Sequence, residues 1–552
     1  MKIMVKSRNF FQRIDVFFII ILLSVIILLK RALSLYMLIC LCFMALLLKI
    51  VDINKENYSS VTRNQSTKTI TVGEKRGTIY DRNYIPLTNS EKRLTAAVTP
   101  TVQSAEYLRA YFTAEELTDR INDGYPFLCN VSEEIINDHI YTFSVPVRYG
   151  ETVLAPHIIG YLDSEGKGIS GIEKAYNQYL TENSGKLTVS FSVDALGRVL
   201  AGLDKTVTDL NFSSKAGVVL SIDSNVQLIA ENALRESRIE SGAVIVMKVG
   251  TGELLAVASV PEFHPDRVGE SLNKENSPLV NKAFCSYSVG SVFKSIVAAC
   301  ALENGVSPDE TYKCEGEITV GDTTFRCFNG KAHGETDMAS ALENSCNTYF
   351  IKLSERLDAE RLLSLCRRLG FGEKDTLAPS MVTASGVLPA AKALRIKGNF
   401  ANFSFGQGDF SATPLQLLSA YHALATGYTV SPVLVRGLTN AEGLMTLTGK
   451  SKKEKIFSDT TVKSIRKMLA GVVSDGLADK AKSSLLSLSG KTGTAQSGIY
   501  ENGKEICRTW FTGFFPSGNP NYIVVVLNEN GEGGNVDCAP VFKKICEGIV
   551  GG

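Results

Sequence analysis

The sequence predicts an α+β multidomain protein carried on an N-terminal membrane helix, and three observations lead there. A basic, apolar front end precedes a polar body. Residues 76–213 mix short strand-like runs with polar helices. Residues 214–552 place strand candidates at both ends of one domain around a helical middle. That last pattern implies one sheet closed by the two ends of the domain, with a helical insertion. The chain has 552 residues, 44% hydrophobic and 21% charged, enough for two or three self-sufficient cores and too apolar for a disordered chain. Lys+Arg 58 against Asp+Glu 57 leaves +1, so no nucleic-acid partner is implied.

The charge is unevenly placed. Lys2, Lys6, Arg8, Arg13, Lys30, Arg31 and Lys49 face Asp15 alone in residues 1–49, a net +6, which leaves the rest at −5. Two apolar runs lie in this stretch. Residues 16–29 fall short of the ~20 needed to cross a bilayer, whereas residues 32–51 suffice. Lys30–Arg31 separates them. A hairpin of two spans would return the chain to its starting side. A single span at 32–51 instead gathers the early positive charges on the cytoplasmic face, with 10–29 as an interfacial or partly inserted helix. No small-residue cleavage site follows either run, which argues against a removed signal peptide. The expectation is a single-pass membrane protein with an extracytoplasmic body. Its segments would be 1–31 (cytoplasmic or interfacial), 32–51 (transmembrane), 52–213 (a strand-rich module opening with a polar linker at 52–72) and 214–552 (the main domain).

Within 52–213 the strand candidates are 94–98, 141–147 and 186–193, with a polar helix at 114–122. From Ala216 the texture changes. AGVVLSIDS reads as a strand, and SNVQLIAENALRES as a helix capped by Ser224 or Asn225. GAVIVMKVGTGELLAVAS (242–259) reads as a hairpin. At the other end, SLSGKTGTAQ, RTWFTGFFP and YIVVVLN are successive strands, and VFKKICEGIV is a closing helix.

Among twelve cysteines, Cys314 and Cys327 flank CEGEITVGDTTFRC, a hairpin turning at Val320–Gly321–Asp322. The hairpin would bring their sulfurs together, either as a disulfide outside the cell or as two free thiols. No Cys/His set has zinc spacing and no His-Glu-x-x-His occurs, so neither a metal nor a cofactor is expected.

Three short patterns carry chemistry. Ser291-Val-Phe-Lys294 puts a hydroxyl and an amine on one face at the start of an apolar helix. A serine needs a neighbouring base to become nucleophilic, and a desolvated lysine can be that base. The same spacing recurs at Ser164/Lys167, Ser271/Lys274 and Ser464/Lys467, where solvated surface is the sensible reading. Ser345-Cys-Asn347 sits at a junction between two helical stretches, where the hydroxyl could relay a proton and the amide could bind a peptide group; a plain helix cap is the bland alternative. Lys491-Thr492-Gly493-Thr494 opens a strand on which glycine leaves room for substrate and the cation suits a carboxylate, the alternative being a simple turn.

Ser-x-x-Lys, Ser-x-Asn and Lys-Thr-Gly, in that order and about 50 and 145 residues apart, resemble the signature of penicillin-recognising serine acyl enzymes. With the membrane helix, RGTIYDRN (76–83), GISGIEKAY (168–176), FGQGDFSATPLQL (405–417) and WFTGFFP (510–516), the chain resembles class B penicillin-binding proteins over about 70–550. The cysteine hairpin followed by AHGETDMASALENSCN is similar to a subset of that class. Val289 stands where the family usually has proline, a change in turn rigidity and not in chemistry.

The resemblance implies a penicillin-binding transpeptidase fold, an antiparallel sheet flanked by helices plus a helical subdomain, on a pedestal at 52–213. It implies a D,D-transpeptidase in which Ser291 attacks the penultimate D-alanine of a peptidoglycan stem peptide and Lys294 takes its proton. Ser345 and Lys491 would pass a proton to the departing D-alanine. Asn347 would hold the donor amide, Thr492 and Thr494 its carboxylate, and Gly493 the close backbone approach. β-Lactams would acylate Ser291, and a membrane glycan polymerase is the expected partner. The alternatives are a membrane-anchored β-lactam sensor, which lacks its zinc-protease module here, and a D,D-carboxypeptidase. A β-lactamase would need a Glu-x-x-Leu-Asn motif between Asn347 and Lys491, and a bifunctional synthase a Glu-Asp-x-x-Phe motif before the main domain; neither occurs.

Overall fold

The computed structural model describes residues 3–55, 66–200, 202–203, 205–449, 451–501 and 503–551. The front end is one helix, Ile3–Lys55, and Lys30–Arg31 does not break it. Its apolar stretch Asp15–Ile53 is long and apolar enough to cross a membrane and is unburied by the rest of the chain. The separate interfacial helix expected at 10–29 is therefore continuous with the candidate span, and the hairpin alternative does not occur. A lysine–arginine pair ends an apolar run, but both residues are good helix formers and leave the backbone ladder intact. The polar linker expected at 52–72 falls partly on residues 56–65, outside the described residues.

Two small sheets form the N-terminal module. Thr67–Lys75, Gly185–Ser192 and Thr206–Leu210 make one, and Phe127–Val131, Lys92–Val98 and Ile140–Pro146 the other. One core packs between them, with Val72, Val189 and Phe191 of the first sheet against Ala97 and Val145 of the second, and another, with Ala96, Val98, Leu108 and Leu117, lies on the second sheet's other face. The polar helix, Ala114–Asp123, is held by a capping box between Thr113 and Glu116 and ends on Gly124 at φ 70.

The boundary near 214 is densely bridged. Thr78–Tyr80 pairs in parallel with Gly217–Leu220, and Ile79, Ile158, Ile172 and Leu180 belong to the same core as the main domain. The two sequence motifs of this region meet there. Glu173 of GISGIEKAY is fully buried and accepts from Arg76 Nε of RGTIYDRN at 3.0 Å, from Arg148 Nε at 2.7 Å and from the Tyr149 hydroxyl at 3.0 Å. Asp81 of the same motif accepts from the Ser224 hydroxyl at 2.8 Å, and Arg82 reaches Glu253 at 3.0 Å.

The main domain is built on a five-stranded antiparallel sheet. Its order is Leu254–Val260, Gly242–Lys248, Tyr522–Gly531, Lys504–Phe515, Ser489–Glu501. Strands from the two ends of the domain thus lie side by side, as their mirrored sequence patterns predict. Gly242–Lys248 is buried along nearly its whole length because helices cover both faces, Ser224–Arg235 and Gly534–Gly551 among them. The cap of Ser224–Arg235 is Asp223, whose carboxylate accepts from the amides of Asn225 and Val226, one position before the expected cap. The chain between the strand groups supplies the helical insertion, including Lys294–Glu303, Met338–Glu343, Asn347–Ser354, Ala359–Arg368, Pro414–Thr426 and Asp459–Ser474.

Candidate active site

The serine segment is pinned before its helix begins. Tyr287–Ser288 pairs with Ser411–Ala412, and the Trp510 indole donates to Ser288 O at 3.0 Å. Gly290 has φ 66 and donates to Gly406 O at 2.8 Å. A Cβ on Gly290 would stand 2.8 Å from Thr494 O, so the turn is pressed against the Ser489–Glu501 edge strand and only glycine fits. Ser291 follows in a single 3-10 turn, Gly290–Phe293, half-buried beside the fully buried Val292 and Phe293. The Tyr421 hydroxyl donates to Val292 O at 2.9 Å. Val289, in the usual proline position, is itself completely buried, so packing restrains the turn.

Lys294 begins the apolar helix and has no solvent exposure. Its ammonium donates to Asn347 Oδ1 at 2.6 Å, Ser345 O at 2.7 Å and Ser345 Oγ at 3.2 Å. Burial pulls its pKa down to about 7. Ser345 has φ 53 in the left-handed region, which turns its carbonyl and hydroxyl together toward the lysine. The helix cap proposed for this motif is real, but Cys346 supplies it. Its sulfur accepts from Tyr349 N at 3.4 Å, leaving Ser345 and Asn347 for Lys294. The Asn347 amide donates to Arg326 O at 2.8 Å, which fixes its orientation.

Lys491 lies on the edge strand, opposite Thr512, and is also fully buried. Its ammonium donates to Thr492 O at 3.2 Å. Burial, and then the charge of Lys294, pull its pKa well below the lysine range. Gly493 faces the serine turn, where a Cβ would stand 3.0 Å from Val292 Cγ1; Thr492 is buried and Thr494 exposed. Among the described residues no carboxylate pairs with Lys294 or Lys491. The three decoy lysines, Lys167, Lys274 and Lys467, are all exposed. The three motifs therefore converge, through Lys294 on Ser345 and Asn347, and through Gly290 on Thr494.

One cluster was missed from the sequence. Cys314, Cys327, His333 and Cys346 offer ligand atoms within 4.8 Å of one another, although their spacing lacks any close Cys-Cys or His-His pair. The hairpin brings the Cys314 and Cys327 sulfurs to 3.8 Å as free thiols, and the Cys346 sulfur stands at the same 3.8 Å from Cys327. Cys327 is held below the ordinary thiol range, foremost by its hydrogen bond with Cys346.

A half-buried serine beside a buried lysine at a helix start, a Ser-x-Asn turn bonded to that lysine and a second buried lysine on an adjacent edge strand define the penicillin-recognising serine acyl enzymes. Consistent with that class, the Penicillin binding protein transpeptidase domain matches residues 242–547, more than half of the chain. The chain belongs to the penicillin-binding protein transpeptidase family. It is 27% identical over 531 residues to Stage V sporulation protein D of Bacillus subtilis (strain 168), covering 89% of this chain and 80% of that protein. Its structure is similar to the D,D-transpeptidase domain of a peptidoglycan glycosyltransferase from Eggerthella lenta, at 25% identity and TM-score 0.62, covering 86% of this chain and 98% of that one. It is likewise similar to PBP2 in the complex between that penicillin-binding protein and MreC from Helicobacter pylori, at 25% identity and TM-score 0.62, covering 88% and 99%.

Proposed function

We propose that this chain is a class B penicillin-binding protein, a serine-type peptidoglycan D,D-transpeptidase. The observation that carries the reading is the pair of lysines buried with no carboxylate partner among the described residues, one of them bonded to Ser345 and Asn347. An ammonium in that setting releases its proton near neutrality, and Lys294 then serves as general base for the Ser291 hydroxyl. Attack on the carbonyl of the penultimate D-alanine gives a tetrahedral oxyanion, held by the backbone N–H groups of Ser291 and Thr494. Collapse breaks the peptide bond, and Ser345 with Lys491 returns the proton to the departing D-alanine amine. Asn347 orients the donor amide, and Thr492 and Thr494, beside Gly493, take the terminal carboxylate. The ester then passes to an amine of a neighbouring strand, which closes the cross-link and regenerates the serine. A β-lactam follows the same first step and stays attached to Ser291.

The helix Ile3–Lys55, with its basic beginning, supports a single-pass anchor that leaves the transpeptidase domain (214–552) outside the cytoplasmic membrane, raised on a pedestal formed by 52–213. The complex that the Helicobacter relative forms with MreC supports a protein partner for this chain as well, and a membrane glycan polymerase is the partner proposed. The test is covalent labelling by a fluorescent penicillin. Wild-type protein should label on the tryptic peptide carrying Ser291, as read by mass spectrometry, and Ser291→Ala should not label while remaining folded. Labelling of the folded Ser291→Ala protein would overturn the assignment.

A further inference from the structure

Four segments meet beside the active site without being required by the acyl-transfer chemistry. Cys314 ends the strand Tyr312–Cys314, Cys327 follows the strand Thr323–Arg326, His333 precedes Gly334–Thr336, and Cys346 joins two helices. The three cysteines are buried. The sulfurs of Cys314 and Cys346 each lie 3.8 Å from that of Cys327, and His333 Nδ1 lies 3.3 Å from Cys314 Sγ. Zinc–sulfur bonds of ~2.3 Å at tetrahedral angles put neighbouring ligand atoms about 3.8 Å apart, whereas a disulfide needs ~2.05 Å. Three of the six ligand-to-ligand distances thus match the edges of a metal tetrahedron, and all four ligand atoms lie within 4.8 Å of one another. The surroundings match too, since Tyr349 N donates to Cys346 Sγ at 3.4 Å and the Thr348 hydroxyl lies 3.3 Å from it.

We infer that Cys314, Cys327, His333 and Cys346 bind one zinc ion, and that this ion positions the Ser345–Asn347 turn. Three thiolates and an imidazole are a soft tetrahedral set that suits zinc. All four positions are taken by protein, which makes the site structural and not catalytic. Its placement explains its purpose. Cys346 lies between Ser345 and Asn347, the two residues bonded to Lys294. Cys327 follows Arg326, whose carbonyl accepts from the Asn347 amide. One ion would therefore clamp both flanks of the turn that meets the catalytic lysine. The positioning role, unlike the metal site, rests on the acyl-transfer reading of Ser345 and Asn347.

The test uses the full chain purified in detergent without added metal. Elemental analysis should find one zinc per chain, and Cys314, Cys327 and Cys346 should resist alkylation until a strong chelator removes it. His333→Ala should lower zinc affinity at least about tenfold. It should also slow acylation by fluorescent penicillin, per folded molecule, by about 10–100-fold through misplacement of the turn. His333→Cys, which restores a fourth soft ligand, should recover both. Wild-type protein with no zinc and three freely alkylated thiols, or with a disulfide among them, overturns the site. Zinc lost from His333→Ala with acylation unchanged overturns the positioning role. Neither result touches the Ser291→Ala outcome, on which the transpeptidase reading stands or falls.

Discussion

Glu173 and Lys294 are both completely shielded from solvent, yet their surroundings are built to opposite ends. Around Glu173 every partner stabilises the charge, with two guanidinium groups and a phenol directed at one carboxylate. Around Lys294 the partners are a backbone carbonyl, a hydroxyl and an amide, and a second buried lysine lies close enough to be depressed by its charge. The first arrangement locks the N-terminal module to the main domain. The second makes the ammonium easy to deprotonate, which a structural site has no reason to do. Burial alone does not distinguish a latch from a base; the sign and hydrogen-bonding character of the neighbours do.

The largest expected effect breaks the second arrangement. Lys294→Met should slow acylation by fluorescent penicillin by about 10²–10⁴-fold, the usual contribution of a general base. The protein should still melt cooperatively, because the substitution removes a desolvated amine and keeps most of the side-chain volume. Breaking the first arrangement should do the reverse. Glu173→Gln leaves two part-buried guanidinium groups without their carboxylate and should cost about 3–5 kcal/mol of stability in denaturant titration, with the acylation rate of the folded fraction unchanged. Equal loss of rate in both variants would erase the contrast.

Titration sharpens the comparison. The acylation rate should rise with pH to a plateau, with a midpoint near 7, as Lys294 loses its proton. Stability should follow the same group. From about pH 7 up to the ordinary lysine value of 10.5 the unfolded chain holds a proton that the folded site has released, so raising the pH through that window stabilises the fold. Lys294→Met should abolish this component of the rise.

A smaller effect is expected at the contact between the serine turn and the edge strand. Gly290→Ala combines a positive φ with a Cβ 2.8 Å from Thr494 O, and should destabilise by about 1–3 kcal/mol and slow acylation. Least of all, Ser464→Ala, in a look-alike pattern whose Lys467 is exposed, should change stability by less than about 0.5 kcal/mol and leave labelling intact.

Much of this was legible before any coordinates. Apolar strand candidates at 242–259 and in YIVVVLN called for a common sheet, since runs that apolar cannot be left uncovered, and the structure pairs Gly242–Lys248 with Tyr522–Gly531. The order of the Ser291, Ser345 and Lys491 motifs resembles that of penicillin-recognising serine acyl enzymes, and that resemblance implied one cleft. Two details went differently for local reasons. Asp223 caps a helix expected to begin on Ser224 or Asn225, because its carboxylate reaches two amides at once. The charged pair Lys30–Arg31 does not divide the N-terminal helix, because backbone hydrogen bonding tolerates charge that a hydropathy profile reads as a break.

Residue type and order along the chain were enough to determine an N-terminal helix apolar enough to cross a membrane, a sheet joined from both ends of a domain, and which serine had a lysine one helical turn away. What only the tertiary structure decided was environment: Lys294 and Lys491 lose all their solvent while Lys167, Lys274 and Lys467 keep theirs, and Glu173 finds Arg76 across 97 residues of chain. The four sulfur and nitrogen atoms from residues 314, 327, 333 and 346 also meet only in the folded chain. Periodicity records which face of an element is apolar. Desolvation and coordination depend on atoms that distant elements bring within a few ångströms, and that proximity is a property of the packed chain.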